Sequence, residues 1–450
     1  MRALLAALCL AAFLGTSVYG EQSAAQPQSS PPPVAVPQPA PTSTGARRLT
    51  LADAEQLALK NNPRIGESQF QERAYEEVVR EFRAAYLPSL TGNITAVGAD
   101  SGTRLAAGAL NNPIVYSRVG TGVTMSQTVT DFGRTQSLVR SASLNAQAQE
   151  QAVNFAKADI ILQTDGAYLA VLRERALLSV ARETVQTRQL LADQVSALFQ
   201  NKLKSSLDLS FAHVNLADAK LLLSDAENNV QSAQAELARI LALPNDVQFD
   251  LVDPGLSNER VQSSDALVQL ALQKRPDLLQ ERLQVQSAQQ FARAEQQLSR
   301  PTVGLVGTAG YVPAGGPQLP GTFGAVGANL SIPIFNGGLF KARQFEAEER
   351  AAAAGQRLRD LELRVAKEVR VAWLDASSAH ERLGLTQQLL DQAKLALDLA
   401  QTRYNLGLSS IVELSQSQLQ YTSAEIARSR AQYDYDAQET ILKFQAGLLP

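Results

Sequence analysis

The chain has 450 residues, a formal net charge of −3 and a hydrophobic content of 45%. It is therefore long enough to bury a sizeable core, and it is not a disordered polyelectrolyte. Its basic residues are dispersed and form no arginine-rich stripe interleaved with aromatic residues, which argues against a nucleic acid partner.

The N-terminus has the pattern of an export signal. Arg2 supplies the positive end, an apolar run follows, and small residues precede Glu21. We predict that residues 1–20 are a signal peptide, whose removal also removes the single cysteine, Cys9, so that the mature chain has no disulfide or cysteine metal site. The proline-rich sequence that follows predicts a disordered, extended spacer over residues 21–48.

The rest of the chain is predicted to contain two structural repeats with the same order of elements. Residues 114–243 and 334–449 contain no proline and are rich in Ala, Leu, Gln, Glu and Arg, which predicts long helices. Tyr168 aligns with Trp373 at an offset of 373 − 168 = 205 residues, and this alignment runs without a gap through the first long segment. Each half therefore reads as two short helices, a β-hairpin and a long helical hairpin.

These patterns give the predicted domain boundaries. The first repeat spans residues 49–243, a connector spans 244–264, and the second repeat spans 265–450. Within the repeats we predict β-hairpins at 89–130 and 302–335 and long helical hairpins at 134–243 and 339–448.

The predicted hairpins alternate apolar and polar residues. Leu90 and Ile94, for example, alternate with Thr91 and Asn93. Period-two alternation over about ten residues is the weak signature of a membrane β-strand, although a soluble sheet alternates too. Four strands cannot close on themselves, and lipid does not tolerate an open sheet edge. If the strands form a barrel, several chains must build it together.

The predicted long helices carry a heptad pattern. One seam position is Leu209, Leu216, Leu223, Val230 and Leu237, and the other is Ala212, Ala219, Ala226, Ala233 and Ile240. This repeat predicts left-handed supercoiling, and the alanines permit close approach of neighbouring helices. No run of eighteen apolar residues follows the signal, so these helices are not predicted to cross a bilayer. Periodicity alone is equally compatible with an ordinary two-helix coiled coil.

Two motifs carry a family resemblance. The sequence PIFNGG (333–338) at a strand-to-helix junction and TRYNLGLSSIVELSQSQLQY (402–421) at a helix tip resemble the TolC-type outer membrane efflux protein family. The resemblance implies a mainly α-helical fold with a membrane β-barrel portion. Three chains would each give four strands to one twelve-stranded barrel, and their helices would form a periplasmic tunnel.

The same resemblance implies the function. The chain would be the exit duct of a tripartite efflux pump or a type I secretion system in the outer membrane of a Gram-negative-type bacterium. It would pass drugs, metals or polypeptides passively, and its partners would be two further copies, outer membrane lipid, a periplasmic adaptor (membrane fusion) protein and an inner membrane pump. The alternative is a soluble periplasmic coiled-coil or adaptor-like protein without a pore.

The resemblance also assigns a gate at the helix tips. It places Tyr404, Asp208 and Glu413 at the constriction, where three copies of Glu413 would form a negative ring that favours cations. Ser409 stands where the family has an arginine that ties neighbouring hairpins, and Gln416 stands where it has a second acid. The substitute candidates for the missing tie are the two lysines of the first tip, Lys202 and Lys204.

Two further sets of residues follow from the resemblance. Leu203, Gly407 and Leu408 lie at the tips where an adaptor would dock. Gly133, Gly337 and Gly338 lie at the two turns from barrel to tunnel, where glycine permits a backbone that other residues resist.

An enzyme is not predicted. The triplet Asp131-Phe132-Gly133 lacks the other motifs of a kinase. His213 and His380 are the only histidines, and each stands alone on a predicted helix without a second ligand at metal-binding spacing. No cofactor is predicted.

Overall fold

The computed structural model of the chain describes residues 47–104, 114–244, 249–255, 263–315 and 321–449. The predicted signal peptide and residues 21–46 of the predicted spacer lie outside these ranges.

Helices and strands follow one another in the same order in both halves. The first half contains β1 (Arg47–Leu49), α1 (Leu51–Asn61), α2 (Pro63–Ala84), β2 (Ser89–Val97), β3 (Arg118–Thr130), α3 (Arg134–Gln200) and α4 (Ser206–Ile240). The second half contains β4 (Phe249–Leu251), α5 (Ser264–Lys274), α6 (Pro276–Gln296), β5 (Thr302–Gly315), β6 (Thr322–Ser331), α7 (Leu339–Asn405) and α8 (Ile411–Gln445). A single 3-10 turn, Gln297–Ser299, follows α6.

Several element ends differ from the boundaries expected from the sequence. Helices α4 and α8 end at Ile240 and Gln445, each three residues before the predicted ends at 243 and 448. Strand β1 begins at Arg47, within the predicted spacer, because it pairs in parallel with β4. The predicted connector contains β4, and its last residue, Ser264, already begins α5. Strand β6 ends at Ser331, before the predicted end at residue 335, and Pro333 in this stretch has no N–H to continue a ladder.

The two longest helices have identical lengths. Helices α3 and α7 each contain 67 residues, and α4 and α8 each contain 35. At a rise of about 1.5 Å per residue the long helices extend roughly 100 Å. Because α4 and α8 are half as long, they cover only the tip half of their partners. Helices α2 and α6 pack along the other half of α3, and α6 also packs against α7.

Buried side chains form three separate clusters along the helices. Near the middle of α3, helix α1 and the β1–β4 pair close over Tyr168, which is completely buried. The Tyr168 hydroxyl lies 2.6 Å from the carbonyl oxygen of Val252 and 2.8 Å from that of Leu49, so it tethers the β1–β4 pair to α3. A second cluster joins α5, α6, α7 and α8, and a third lies at the tips.

Strands β2, β3, β5 and β6 form the part of the molecule that differs most from a coiled coil. They make a four-stranded antiparallel sheet in the order β2-β3-β5-β6. The register aligns mostly apolar side chains on one face, which are Leu90, Ile94, Val119, Val123, Met125, Leu305, Ala309, Tyr311, Val326, Ala328 and Leu330. The opposite face is mostly polar and carries Thr91, Asn93, Thr95, Thr124, Ser126, Thr308 and Asn329. The apolar face is uncovered, with Ile94 84% and Val326 85% exposed.

Within the described ranges, none of the helices combines the length and the apolar character that a membrane span requires.

Candidate functional site

The two helix tips share one backbone geometry although their sequences differ. Lys202 ends the first long helix in the left-handed conformation (φ 58°), and Gly407 does so at the second tip (φ 73°). In both tips the next residue donates its N–H back into the helix, from Leu203 to Leu198 and from Leu408 to Arg403, each at 2.8 Å. A non-glycine residue in this conformation is uncommon, so the first tip reproduces with Lys202 a turn that the second makes with glycine.

Asp208 caps the helix that follows the first tip. Its Oδ2 accepts hydrogen bonds from the Ser205 hydroxyl at 2.8 Å and the Ser205 N–H at 3.0 Å, while the Asp208 N–H donates to the Ser205 hydroxyl. Partial burial opposes ionisation, but the hydrogen bonds from Ser205 and the nearby Lys204 lower the pKa of Asp208 overall. Asp208 is thus an ionised capping residue of the kind that helix N-termini favour.

Tyr404 lies inside the tip cluster. It is 4% exposed and packs with residues that include Val195, Ile411 and Leu414. Its hydroxyl is buried and has no hydrogen-bond partner among the described residues, so it does not donate to Asp208. Lys204 instead places its Nζ 4.2 Å from the centroid of the Tyr404 ring. This cation–π contact links the first tip to the second helical hairpin.

Glu413 lies in the first turn of α8 and has a charged neighbour that the sequence did not reveal. Its backbone N–H donates to the Ser410 hydroxyl, which caps the helix. Its carboxylate lies 3.4 Å from Arg403, which immediately precedes Tyr404. Both side chains are substantially exposed, at 41% and 57%, so the pair contributes little to stability. Its effect is electrostatic, because Arg403 offsets the charge of Glu413.

Two serines complete the contacts of the second tip. The Ser409 hydroxyl, at the position where the resemblance expected an arginine, is buried and has no hydrogen-bond partner in the described ranges. Ser415 on α8 accepts a hydrogen bond of 2.8 Å from the Asn215 side chain on α4, so the two returning helices are joined just above the tips. Asn215 and Arg403 were not singled out from the sequence. Arg403 lies inside the tip motif 402–421, whereas Asn215 lies on α4 of the first repeat, outside both motifs.

The outermost tip residues form an apolar surface. Leu203, Leu406 and Leu408 are 70%, 68% and 67% exposed. Leu207 and Val412, in the first turns of the returning helices, are 63% and 51% exposed. Lys202 is the charged residue at the apex of the first tip.

The sheet passes into the long helices through two matching turns. At the first turn, Phe132 (φ 55°) and Gly133 (φ 100°) both adopt positive φ. At the second, Gly337 (φ 64°) and Gly338 (φ 84°) do so at the equivalent positions. The sequence identified the three glycines but missed Phe132, because an aromatic residue is not expected in the left-handed region.

Polar contacts hold the first turn in place. Asp131 accepts hydrogen bonds from the N–H groups of Gly133 at 3.1 Å and Thr135 at 2.7 Å, so it serves as the cap of α3. Arg300, which precedes β5, donates to the carbonyl oxygen of Phe132 at 2.8 Å. These contacts stabilise a strained backbone at the point where the chain changes from strand to helix.

Within the described parts of the chain, no three His, Cys, Asp or Glu side chains cluster in a way that could hold a metal ion. His213 and His380 lie on separate long helices.

Comparison with known proteins identifies the family. The model of the outer membrane efflux protein family matches residues 54–243 and 267–448. The outer membrane protein TolC of Escherichia coli (strain K12) is 23% identical over 416 residues, which cover 89% of this chain and 82% of TolC. The alkaline protease secretion protein AprF of Pseudomonas aeruginosa is 25% identical over 431 residues, which cover 89% of this chain and 85% of AprF.

Solved structures share the fold. The outer membrane protein VceC from Vibrio cholerae superposes with a TM-score of 0.77 at 19% identity, covering 88% of this chain and 96% of VceC. CusC superposes with a TM-score of 0.76 at 19% identity, covering 94% of this chain and 99% of CusC. These matches confirm the mainly α-helical fold class with a β portion and the resemblance that the two motifs indicated. The chain belongs to the outer membrane efflux protein family and is an outer membrane channel protein.

Proposed function

We propose that this channel is the outer membrane duct of a tripartite efflux pump or a type I secretion system. Three copies would form it, each giving four strands to a twelve-stranded barrel. The observation that carries the proposal is the four-stranded sheet, which has one uncovered apolar face and unpaired outer edges at β2 and β6 among the described strands. Such a sheet is stable in lipid only when other copies pair with both edges.

The duct itself would perform no chemistry. Its two long helical hairpins would line a passage through the periplasm, and an inner membrane pump would supply the energy. The alternative of a soluble adaptor-like protein gains no support from the architecture, because an adaptor usually has one helical hairpin and the described chain has two. Fractionation tests the choice. The duct should sediment with outer membrane, require detergent and have the mass of three chains, whereas a detergent-independent monomer would contradict the proposal.

The gate would lie at the tips, with Tyr404, Asp208 and Glu413 around the axis. We assign the substitute tie to Lys204 rather than Lys202, because Lys204 contacts the Tyr404 ring and thereby joins the two hairpins. A cation–π contact is worth about 0.5–2 kcal/mol. Lys204→Ala should therefore raise the open probability in a planar bilayer. Lys202→Ala is the matched control and should leave it unchanged. Equal changes in open probability for the two substitutions would contradict the assignment of the tie to Lys204.

The ion selectivity of the gate provides a second test. Glu413→Ala should weaken cation selectivity, because it removes the proposed negative ring. Arg403→Ala should strengthen cation selectivity, because it removes the cation 3.4 Å from Glu413. Reversal potentials in a salt gradient measure both effects, and Glu381→Ala, an exposed acid far from the tip, is the control. If the Glu413 and Arg403 variants both match the wild type, the constriction lies elsewhere.

The exposed tip surface would receive the periplasmic adaptor. Leu203 and Leu408 lie beside the left-handed residues Lys202 and Gly407, so the two tips present similar backbones and different charges. Leu203→Ala and Leu408→Ala should reduce pull-down of a cognate adaptor, whereas Leu385→Ala in the exposed middle of α7 should not. Unchanged pull-down by both tip variants would count against docking there.

A further inference from the structure

A pocket lined mainly by polar and charged residues, and partly open to solvent, lies between the two halves of the molecule, above the tips. Its volume is about 220 Å³, and α3, α7 and α8 line it. Thr187 and Arg188 come from α3, and Gln418, Tyr421 and Thr422 come from α8. A cavity of this size and polarity holds several waters, or an ion together with waters.

Arg188 is a buried cation that forms no ion pair with the described part of the chain. It is 6% exposed, and its Nη1 is buried with no hydrogen-bond partner among the described residues. Burial lowers the pKa of Arg188, and no carboxylate acts against this effect. A guanidinium remains charged in proteins, so its charge must be compensated in another way.

The carboxylates around the cavity do not fill this role. Glu183 and Asp398 are exposed at the lining, beside Lys394, and neither carboxylate forms an ion pair with Arg188. Glu425 accepts a hydrogen bond from Tyr421, and burial, together with the neighbouring Glu183, raises the pKa of Glu425. The remaining partner on α8 is Gln418, which is 5% exposed and also has an unpaired buried atom, Oε1.

Packing alone does not require an arginine here. At the offset that relates the two repeats, 393 − 188 = 205, Arg188 corresponds to Ala393, which is also buried. By the same offset Gln418 corresponds to His213. The second repeat therefore fills the equivalent helix position with a methyl group, and the polar pair belongs to one site only.

We propose that this cavity binds a small monovalent anion of the size of chloride. The guanidinium of Arg188 would neutralise it. The Gln418 amide, turned so that its NH₂ faces the cavity, and the hydroxyls of Thr187 and Thr422 would supply further donors. Because Arg188 lies on the first repeat and Gln418 on the second, the bound anion would join the two hairpins above the tips.

The direct test is a crystal of the full-length, detergent-extracted protein in which bromide replaces chloride. We expect an anomalous peak in contact with Arg188 Nη1. Waters alone in the cavity, with bromide bound elsewhere in the same crystal, would overturn the proposal. This result does not depend on channel activity or on any substitution.

A second test measures the melting temperature in chloride and in gluconate at constant ionic strength. Each tenfold increase in chloride above its dissociation constant should raise the melting temperature by about 1–2 °C. Arg188→Gln should remove this dependence, and Arg182→Gln, an exposed arginine on the same helix, should retain it. Arg188→Leu is the second variant, because an apolar residue of similar length should fold without the anion. Chloride dependence that persists in the Arg188 variants would contradict the proposal.

Discussion

Buried charged residues distinguish the helices of this chain from a plain coiled coil. Arg275, Arg188, Asp165 and Glu295 are all at least 94% buried. The charge of Arg275 is compensated by two carboxylates, that of Asp277 at 2.7 Å and that of Glu368 at 2.9 Å. Breaking a buried pair is costly, whereas a buried charge without a partner changes its protonation or recruits an ion. The four residues therefore differ in how their buried charge is compensated.

Asp165 illustrates the change in protonation. It lies on α3 beneath α1, and its Oδ1 has no partner among the described residues. Burial and the nearby Glu55 raise the pKa of Asp165 to about 8, although Lys443 on α8 acts in the opposite direction. In the folded protein Asp165 is thus protonated over a range in which an unfolded aspartate, with a pKa of 3.8, is ionised.

The sign of the resulting pH dependence follows from linkage. Between pH 4 and pH 8 the folded state binds one proton more than the unfolded state, so the free energy of unfolding falls as the pH rises. The slope is at most about 1.4 kcal/mol per pH unit. Asp165→Asn should weaken the dependence of the melting temperature on pH between pH 5 and pH 8.5. The control is Asp193→Asn, which replaces an exposed aspartate on the same helix and should leave this dependence unchanged. A variant that keeps the wild-type slope would disprove the assignment to Asp165.

At the scale of elements, the decisive features are the two turns from sheet to helix. Each contains two consecutive residues with positive φ, and Arg300 and Asp131 hold the first of them. Glu295, at the end of α6, lies 3.0 Å from Arg343 on α7 and 3.9 Å from Arg134 on α3, so one buried acid joins the starts of both long helices. The direction in which the helices leave the sheet is thus fixed by contacts from outside the turns.

The backbone requirement at the second turn can be isolated. A Cβ at Gly338 would meet no atom within 4 Å, so Gly338→Ala costs only backbone strain, which is about 1–2 kcal/mol at φ 84°. Gly355→Ala, inside α7 and equally free of neighbours, should instead stabilise by about 0.5–1 kcal/mol. Denaturant unfolding measures both effects. If the two substitutions change stability in the same direction, the turn does not require positive φ in solution.

At the scale of the whole molecule, the sheet provides the surface proposed to face the membrane and the strand edges proposed to pair with other copies. Its apolar side chains come from all four strands, yet most of them fall on one face because the ladder pairs them in register, whereas Val306 and Phe323 lie on the opposite face. The pairing of β3 with β5 places the two hairpins side by side and brings both long helices out of the same sheet. Within the described parts of a single chain this surface and both outer edges have no partner, which is the reason for proposing a trimer.

Neighbouring residues of β6 test the orientation of the sheet. Val326 lies on the apolar face and is 85% exposed, while Ala325 lies on the polar face. A lysine facing lipid near the bilayer centre costs about 2–4 kcal/mol, and one facing an aqueous lumen is tolerated. Val326→Lys should therefore reduce the yield of trimer inserted in the outer membrane, and Ala325→Lys should not. The reverse pattern would mean that the faces are assigned the wrong way round.

The sequence by itself determined the features that depend on local periodicity and backbone chemistry. Proline-free segments gave the long helices, alternation gave the two faces of the strands, and Gly133, Gly337 and Gly338 marked the turns. These features are readable because a repeat of 3.5 or 2 residues and a positive φ are properties of the local chain. The TolC-type motifs, 333–338 and 402–421, then gave the family.

Only the tertiary structure decided which side chains meet across elements. It placed Lys204 on the Tyr404 ring, Arg403 beside Glu413, and Asp208 on Ser205 rather than on Tyr404. It also revealed positive φ at Phe132 and, among the described residues, a buried Arg188 Nη1 without a hydrogen-bond partner. Such contacts depend on the rotation and offset of helices that are far apart in sequence, and side-chain periodicity does not encode these quantities.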